Sequence, residues 1–146
     1  MYMNKIDEAV SCFMNGFNCS QSILSTYSPK FGLDYKIALK LSTGFGSGMG
    51  SLAKICGAVT GSFMVIGLKH GRDKIEDVEA KERTYNKVQD FVKQFENVYG
   101  SIICKELIGC DISTKEGRKI ARDQSLFKEI CPIFVKEAVK ILERIL

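Results

Sequence analysis

Apolar residues recur every three or four positions along most of the chain, a spacing that predicts helices. The clearest case is the carboxyl end, where one stripe contains Phe134, Ala138, Ile141, Leu142 and Ile145. No segment alternates apolar and polar residues as a half-buried strand does. The pattern therefore predicts an all-α fold: a single domain over residues 1–146, built as an irregular bundle of about seven to eight helices.

The longest predicted helix covers about residues 75–99. Its apolar positions share one helical face, with charged residues on the opposite face, so this face is expected to point inward. The predicted inner stripe consists of Ile75, Val78, Tyr85, Val88, Phe91, Phe95 and Val98.

A glycine-rich segment, GSGMGSLAKICGAVTG at residues 46–61, leads into an apolar stretch that predicts a helix over 52–69 with Ser51 as its N-cap. Gly57 and Gly61 lie one helical turn apart, and each costs roughly 1 kcal/mol of helix propensity relative to alanine. Close approach of another group to this smooth face would offset that cost. The glycines expected to make room around Cys56, or to face a cofactor there, are Gly46, Gly48, Gly50, Gly57 and Gly61.

The glycine spacing does not fit a nucleotide site. A dinucleotide fingerprint requires G-x-G-x-x-G after a strand, and a phosphate-binding loop requires Gly-Lys-Ser/Thr. Here the preceding segment is predicted to be a helix, and the glycines at 44, 46, 48 and 50 alternate with other residues, with Met at position 49, so the fingerprint spacing is not met. The sequence also contains no Gly-Lys-Ser/Thr string.

Charge and hydropathy limit which partners the protein is expected to bind and in which cellular compartment it is expected to lie. The net charge is +4, with basic residues scattered among acids, so no nucleic-acid surface is predicted. The longest apolar run, 55–68, is shorter than the ~20 residues that span a bilayer. The first ten residues lack the pattern of a secretory signal. These features favour a cytoplasmic protein without a membrane span.

The chain has six cysteines, and the reducing cytoplasm seldom keeps structural disulfides. Cys19 follows the predicted N-cap Asn18, Cys131 takes the predicted cap position before Pro132, and Cys56 lies in the second turn of the predicted 52–69 helix. Free N–H groups and the helix dipole stabilise a thiolate at such places. Cys56 and Cys131 are therefore the candidate nucleophiles.

The remaining cysteines, Cys12, Cys104 and Cys110, stand in less informative positions, where a cysteine is often only a small buried hydrophobe. No C-x-x-C pair occurs, so neither a thioredoxin motif nor a zinc ribbon is predicted. His70 is the only histidine, which leaves no ligand set for a di-iron site with two Glu-x-x-His motifs.

The string Cys56-Gly-Ala-Val-Thr-Gly61 resembles the C-G-A-x-x-G motif of a redox-active protein family named C_GCAxxG_C_C. Its other signature cysteines match Cys19 in FNCSQSIL, Cys104 in IICKELIG and Cys131 in CPIFVKEAV, so the resemblance covers the whole chain. It implies a redox role for these four cysteines and a loose link to transporters. Cys12 and Cys110 fall outside the pattern.

Three functions stay open at this point. The first is a dithiol/disulfide cycle that uses Cys19, Cys56, Cys104 and Cys131 as catalytic thiols, with a redox partner protein. The second is an iron–sulfur cluster or a zinc ion held by the same four thiolates. The third is a helical interaction module whose cysteines are structural. The first two require the four sulfur atoms to converge.

Overall fold

The computed structural model describes residues 4–146, and most of this part of the chain is helical, without strands. The elements in chain order are α1 (Lys5–Met14), α2 (Cys19–Tyr27), α3 (Tyr35–Ser42), α4 (Gly46–Met49), α5 (Gly57–His70), α6 (Val78–Tyr99), α7 (Cys104–Ile108), α8 (Lys115–Asp123), α9 (Leu126–Glu129) and α10 (Cys131–Ile145). Eight of these have five or more residues, so the predicted all-α bundle is confirmed. Residues 1–3 of the predicted domain lie outside the described part.

The core forms where α10 meets α1, α2, α5 and α6. The predicted carboxyl-terminal stripe is confirmed, because all five of its side chains are buried there. Phe134 joins a cluster of aromatic rings with Phe95 and Tyr99, at centroid distances of 6.2 and 5.0 Å. Within residues 4–146, no helix has the length and apolar character needed to cross a membrane.

Helix α2 lies along α5, and two glycines of α5 set their separation. A Cβ atom at Gly57 would lie 3.0 Å from the backbone nitrogen of Ser20. One at Gly61 would lie 2.9 Å from the Ser20 carbonyl oxygen and 3.0 Å from Cβ of Ile23. All three distances are shorter than an ordinary carbon contact, which agrees with the close approach expected from the G-x-x-x-G spacing.

The predicted helix over 52–69 starts later than expected. Positive φ angles occur at Ser47, Met49, Ser51 and Ala53, which places these residues in the left-handed region. Three of the four residues of α4 have a positive φ, so α4 is a left-handed turn and not a right-handed helix. Each such residue costs roughly 1–2 kcal/mol relative to the right-handed conformation, and a right-handed helix cannot pass through them. Ser51 is therefore not an N-cap, and α5 begins at Gly57.

The predicted inner stripe of residues 75–99 is only partly correct. Helix α6 begins at Val78, and Ile75 before it is 85% exposed. Over half of the surface of Val78, Tyr85 and Val98 is also exposed. Periodicity predicts which residues share a helical face, but not which of them other helices bury. Helices α5 and α10 pack on α6 around Phe91 and Phe95, where the aromatic rings meet, and leave the first turns of α6 largely exposed.

Candidate thiol site

The four cysteines of the predicted signature all stand at helix amino termini. Cys19, Cys104 and Cys131 are the first residues of α2, α7 and α10, and Cys56 is the N-cap of α5. The prediction for Cys19 is confirmed. Cys56 lies at the cap instead of in the second turn, and Cys131 lies inside the helix, because Ile130 is the N-cap.

These four residues line one small cavity of about 50 Å³. Each of them is only 5–8% exposed. The rest of the lining contains no charged side chain: its apolar members are Phe13, Leu107, Ile108, Phe127 and Phe134, and its polar or small members are Asn18, Ser47, Gly48 and Gly57. Cysteines separated by up to 112 positions (131 − 19) in sequence therefore meet in one apolar compartment.

A complete capping box fixes the position of Cys19. The Asn18 side chain accepts a hydrogen bond from the Gln21 N–H at 2.9 Å, and the Gln21 side chain accepts one from the Asn18 N–H at 3.0 Å. Asn18 Nδ2 also donates to the carbonyl oxygen of Thr43 at 3.0 Å. These bonds satisfy orphan donors of the first turn and tie the start of α2 to the chain that leads into the glycine-rich segment.

An antiparallel bridge between Ile55 and Ile103 holds Cys56 and Cys104. The Cys56 N–H donates to the Ile102 carbonyl at 2.8 Å, and the Cys104 N–H donates to the Lys54 carbonyl at 2.6 Å. The two cysteines flank the bridge in diagonal positions on one face, for which Cα atoms are roughly 7–8 Å apart. The bridge thus holds both cysteines in the cavity wall, at a spacing beyond the usual range for a disulfide between them.

Cys19 and Cys131 both line the cavity, and each thiol shifts the pKa of the other, in opposite directions. The neighbouring Cys19 thiol lowers the pKa of Cys131, although burial opposes the shift. The Cys131 thiol, together with burial and the charges of neighbouring thiolates, raises the pKa of Cys19. These directions fit a Cys131 thiolate that accepts a hydrogen bond from the Cys19 thiol.

The other two thiols resist ionisation. Burial raises the pKa of Cys56 to about 12, although the nearby backbone N–H groups of Ala58 and Val59 favour its thiolate. Burial and the charges of Cys56 and Cys131 raise the pKa of Cys104 to about 12 as well. Proximity to a helix start is therefore outweighed by burial at these two positions, and the cavity favours a single thiolate, at Cys131.

The fit of a metal or cluster to this site is limited by geometry. Four cysteine thiolates are a normal ligand set for zinc and for iron–sulfur clusters. Within residues 4–146, however, no three His, Cys, Asp or Glu side chains are grouped closely enough to hold a metal ion. The four sulfur atoms share a compartment without forming a ready ligand cage, so ligation would require side-chain rearrangement.

Two of the five glycines singled out in the sequence, Gly48 and Gly57, line the cavity. A Cβ atom at Gly48 would lie 2.7 Å from Cα of Ala53, and Gly48 also has a positive φ. Gly46 packs against the Asn18 side chain, Gly61 packs against α2, and Gly50 stands in the left-handed segment. The last three shape the surroundings of the cavity and do not face it.

Cys12 and Cys110 lie apart from this cavity. The Cys12 sulfur is 3.7 Å from the Ser25 hydroxyl, in an open groove between α1 and α2. The Cys110 thiol donates to the carbonyl oxygen of Gly117 at 3.0 Å. All six cysteines are free thiols.

The sequence predicts a short helix over 101–108 closed by Gly109, which is correct at its end but starts three residues too early, and it does not predict most of the cavity wall. A local signal for the helix start existed: Ser101, just after Gly100, accepts a hydrogen bond from the Ile103 N–H at 2.9 Å and also bonds the Glu106 carboxylate. The wall residues Phe13 and Phe127 had no such signal, because only tertiary packing brings α1 and α9 to the cysteines.

Comparison with known proteins gives one match. No curated protein and no solved structure shows significant similarity to the chain. The family model described as "Putative redox-active protein (C_GCAxxG_C_C)" matches residues 17–145, and the chain belongs to this family.

Proposed function

We propose that this chain is a thiol redox protein in which Cys19 and Cys131 cycle between a dithiol and a disulfide. The observation that carries the proposal is the cavity lined by all four cysteines, in which Cys19 and Cys131 also shift each other's pKa. Formation of the disulfide releases two protons and two electrons to an oxidant. Cys131 acts as the nucleophile, because its thiolate is favoured over the other three, and Cys19 acts as the resolving thiol.

Cys56 and Cys104 form a second, slower dithiol in this proposal. The pKa of each thiol is raised to about 12, so few thiolates form there near neutral pH. The bridge keeps both thiols beside the first pair, where they are placed to exchange with a disulfide once it has formed. A redox partner protein, a link to transporters and a cytoplasmic location remain expectations from the sequence and the family resemblance.

Counting thiols tests the cycle. Titration in denaturant should find six thiols in the reduced protein and four after mild oxidation, and a reductant should restore all six. A matched control is Cys12→Ser, which should lose two of its five thiols in the same way, since Cys12 lies outside the cavity. Retention of all thiols after oxidation would reject the proposal.

The second candidate function is a metal or cluster protein, and convergence of four cysteines in one cavity favours it. Cys19, Cys56, Cys104 and Cys131 would be the ligands, and an iron–sulfur cluster would supply electron transfer. Anaerobic purification followed by metal analysis and a visible spectrum tests it. Stoichiometric iron or zinc that is lost in Cys56→Ser but kept in Cys110→Ser would favour this function.

The third candidate is an interaction module with structural cysteines. The thiol titration and the metal analysis together distinguish it from the first two. It predicts a colourless, metal-free protein whose thiol count does not change reversibly. The burial of the four cysteines in the hydrophobic core is the observation that supports it.

A further inference from the structure

The cavity around the four cysteines also constrains what can reach them. We infer that the oxidant of this site is a small, uncharged molecule of the hydroperoxide class, admitted past a narrow mouth without charged side chains that excludes charged and bulky reagents. The inference rests on the thiol cycle proposed above and adds a substrate class to it.

The size of the cavity is the first argument. Its volume of about 50 Å³ compares with the roughly 10–15 Å³ that one water needs on the same scale, so it accepts only a few non-hydrogen atoms. A protein or peptide disulfide does not fit this space. Since each of the four cysteines is at most 8% exposed, a thiol of a partner protein cannot reach them without displacing wall residues.

The chemistry of the wall is the second argument. Among its side chains, only Asn18 and Ser47 are polar besides the thiols, and none carries a charge. The Asn18 amide is already used in capping and in the bond to Thr43. An ion entering this space would lose its hydration without gaining a charged partner, and that loss is costly. A neutral molecule avoids the cost.

The mouth of the cavity is the third argument. The half-buried wall residues are the apolar Phe13, Leu107 and Phe127 together with the polar Asn18 and Ser47, whereas Phe134 and Ile108 are buried. The partly exposed side chains therefore mark the edge that faces solvent. Phe134 is fixed by its packing on Phe95 and Tyr99, so Phe127 in the four-residue α9 is the wall residue whose truncation would widen the entrance with least effect on the core.

A hydroperoxide completes the chemistry with balanced atoms. The Cys131 thiolate attacks the distal oxygen of ROOH, the O–O bond breaks, and the alkoxide takes a proton from water to leave as ROH. The resulting Cys131 sulfenic acid condenses with the Cys19 thiol, forming the S–S bond and releasing water. In sum, two thiols and ROOH give a disulfide, ROH and water, and a small neutral dithiol such as dithiothreitol returns the disulfide to two thiols while it is itself oxidised.

Access is tested first with thiol reagents that differ in charge. Methyl methanethiosulfonate should label the cavity cysteines, whereas its trimethylammonium and sulfonate analogues should label them about tenfold more slowly or less, after normalisation to Cys12. Cys12 serves as the internal reference because it is half-buried in an open groove. Equal normalised rates for the charged and neutral reagents would overturn the inference and leave the thiol cycle standing.

Substrate size is tested with hydroperoxides and oxidised glutathione. Hydrogen peroxide should oxidise the Cys19–Cys131 pair at least about tenfold faster than cumene hydroperoxide, relative to their rates with a free thiol, and oxidised glutathione should be slower still. Phe127→Ala should raise the relative rate of cumene hydroperoxide, whereas Tyr85→Ala, on the exposed face of α6, should not.

The outcomes separate the two proposals. Oxidation of the pair by glutathione disulfide as fast as by hydrogen peroxide would reject the hydroperoxide class and support the cycle. Unchanged selectivity in Phe127→Ala would reject the assignment of the mouth. If none of the three oxidants changes the thiol count, both the cycle and the proposed oxidant class are rejected, even where methyl methanethiosulfonate labels the cavity cysteines.

Discussion

The four-cysteine cavity and the surroundings of Cys12 and Cys110 show how differently free thiols can be placed in one chain. Cys110 is buried as the cavity cysteines are, at 9% exposure, but its thiol bonds a backbone carbonyl. Cys12 faces a serine hydroxyl. In the cavity, by contrast, Cys131 shares its surroundings with three other cysteines. Burial alone therefore does not distinguish the four cavity cysteines from Cys110; their shared cavity does.

The largest expected effect that tests this comparison is loss of the cycle in Cys131→Ser. A serine hydroxyl cannot form the disulfide, so thiol titration should show no reversible loss of two thiols. Cys110→Ser is the matched control, since its thiol lies outside the cavity, and it should cycle like the parent. A Cys131→Ser protein that still loses two thiols reversibly would show that a different pair carries the chemistry.

The next effect concerns the packing that brings α2, and with it Cys19, to the cavity. In Gly61→Ala the new methyl group would meet the Ser20 carbonyl at 2.9 Å, and overpacking of this kind costs roughly 1–3 kcal/mol. Denaturant unfolding of the reduced protein measures the loss of stability.

Gly67→Ala is the control for that substitution within the same helix. Nothing lies within 4 Å of a Cβ atom there, so the better helix propensity of alanine should raise the free energy of unfolding by up to roughly 1 kcal/mol. Equal effects of the two substitutions would contradict the view that glycine sets the distance between α2 and α5.

A smaller effect is expected in the pH dependence of Cys131. Only its thiolate is reactive, so the rate of alkylation by a small neutral reagent should rise with pH and reach half its maximum below the ordinary thiol pKa, because the Cys19 thiol lowers the pKa of Cys131. Cys19→Ala removes that donor and should move the midpoint to higher pH. Cys19→Ser keeps a hydroxyl donor and should move it less. A midpoint that is the same in all three proteins would argue against the thiol–thiol bond.

The smallest expected effect is loss of the cap that holds Cys19. Asn18→Ala should lower the free energy of unfolding by about 1 kcal/mol, since it breaks both the cap and the bond to the Thr43 carbonyl. Asn4→Ala, which removes the cap of α1 away from the cavity, should cost a similar amount of stability. Only Asn18→Ala should also slow oxidation of the thiol pair; equal oxidation rates would mean that the capping box does not position Cys19.

The sequence predicted the parts of this site that depend on local signals. Asn18 predicted the start of α2 at Cys19, and the spacing of Gly57 and Gly61 predicted a close neighbour for α5. The apolar stripe of α10 was also clear from its period. In each case the physical cause lies within a few residues of the pattern.

The parts that the sequence did not predict depend on distant residues. Ser47 and Ala53 adopt the left-handed conformation against their own preference, so only their tertiary setting selects it. The bridge between Ile55 and Ile103 joins positions 48 apart (103 − 55) and has no local signal. The exposure of Tyr85 likewise depends on which helices cover α6, and periodicity does not give that information.

The most direct test of the central claim is to identify the cysteines that join when the reduced protein is treated with one equivalent of hydrogen peroxide. Peptide mapping by mass spectrometry should recover a disulfide between Cys19 and Cys131. A disulfide that involves Cys12 or Cys110, or a protein that keeps six free thiols, would contradict the account.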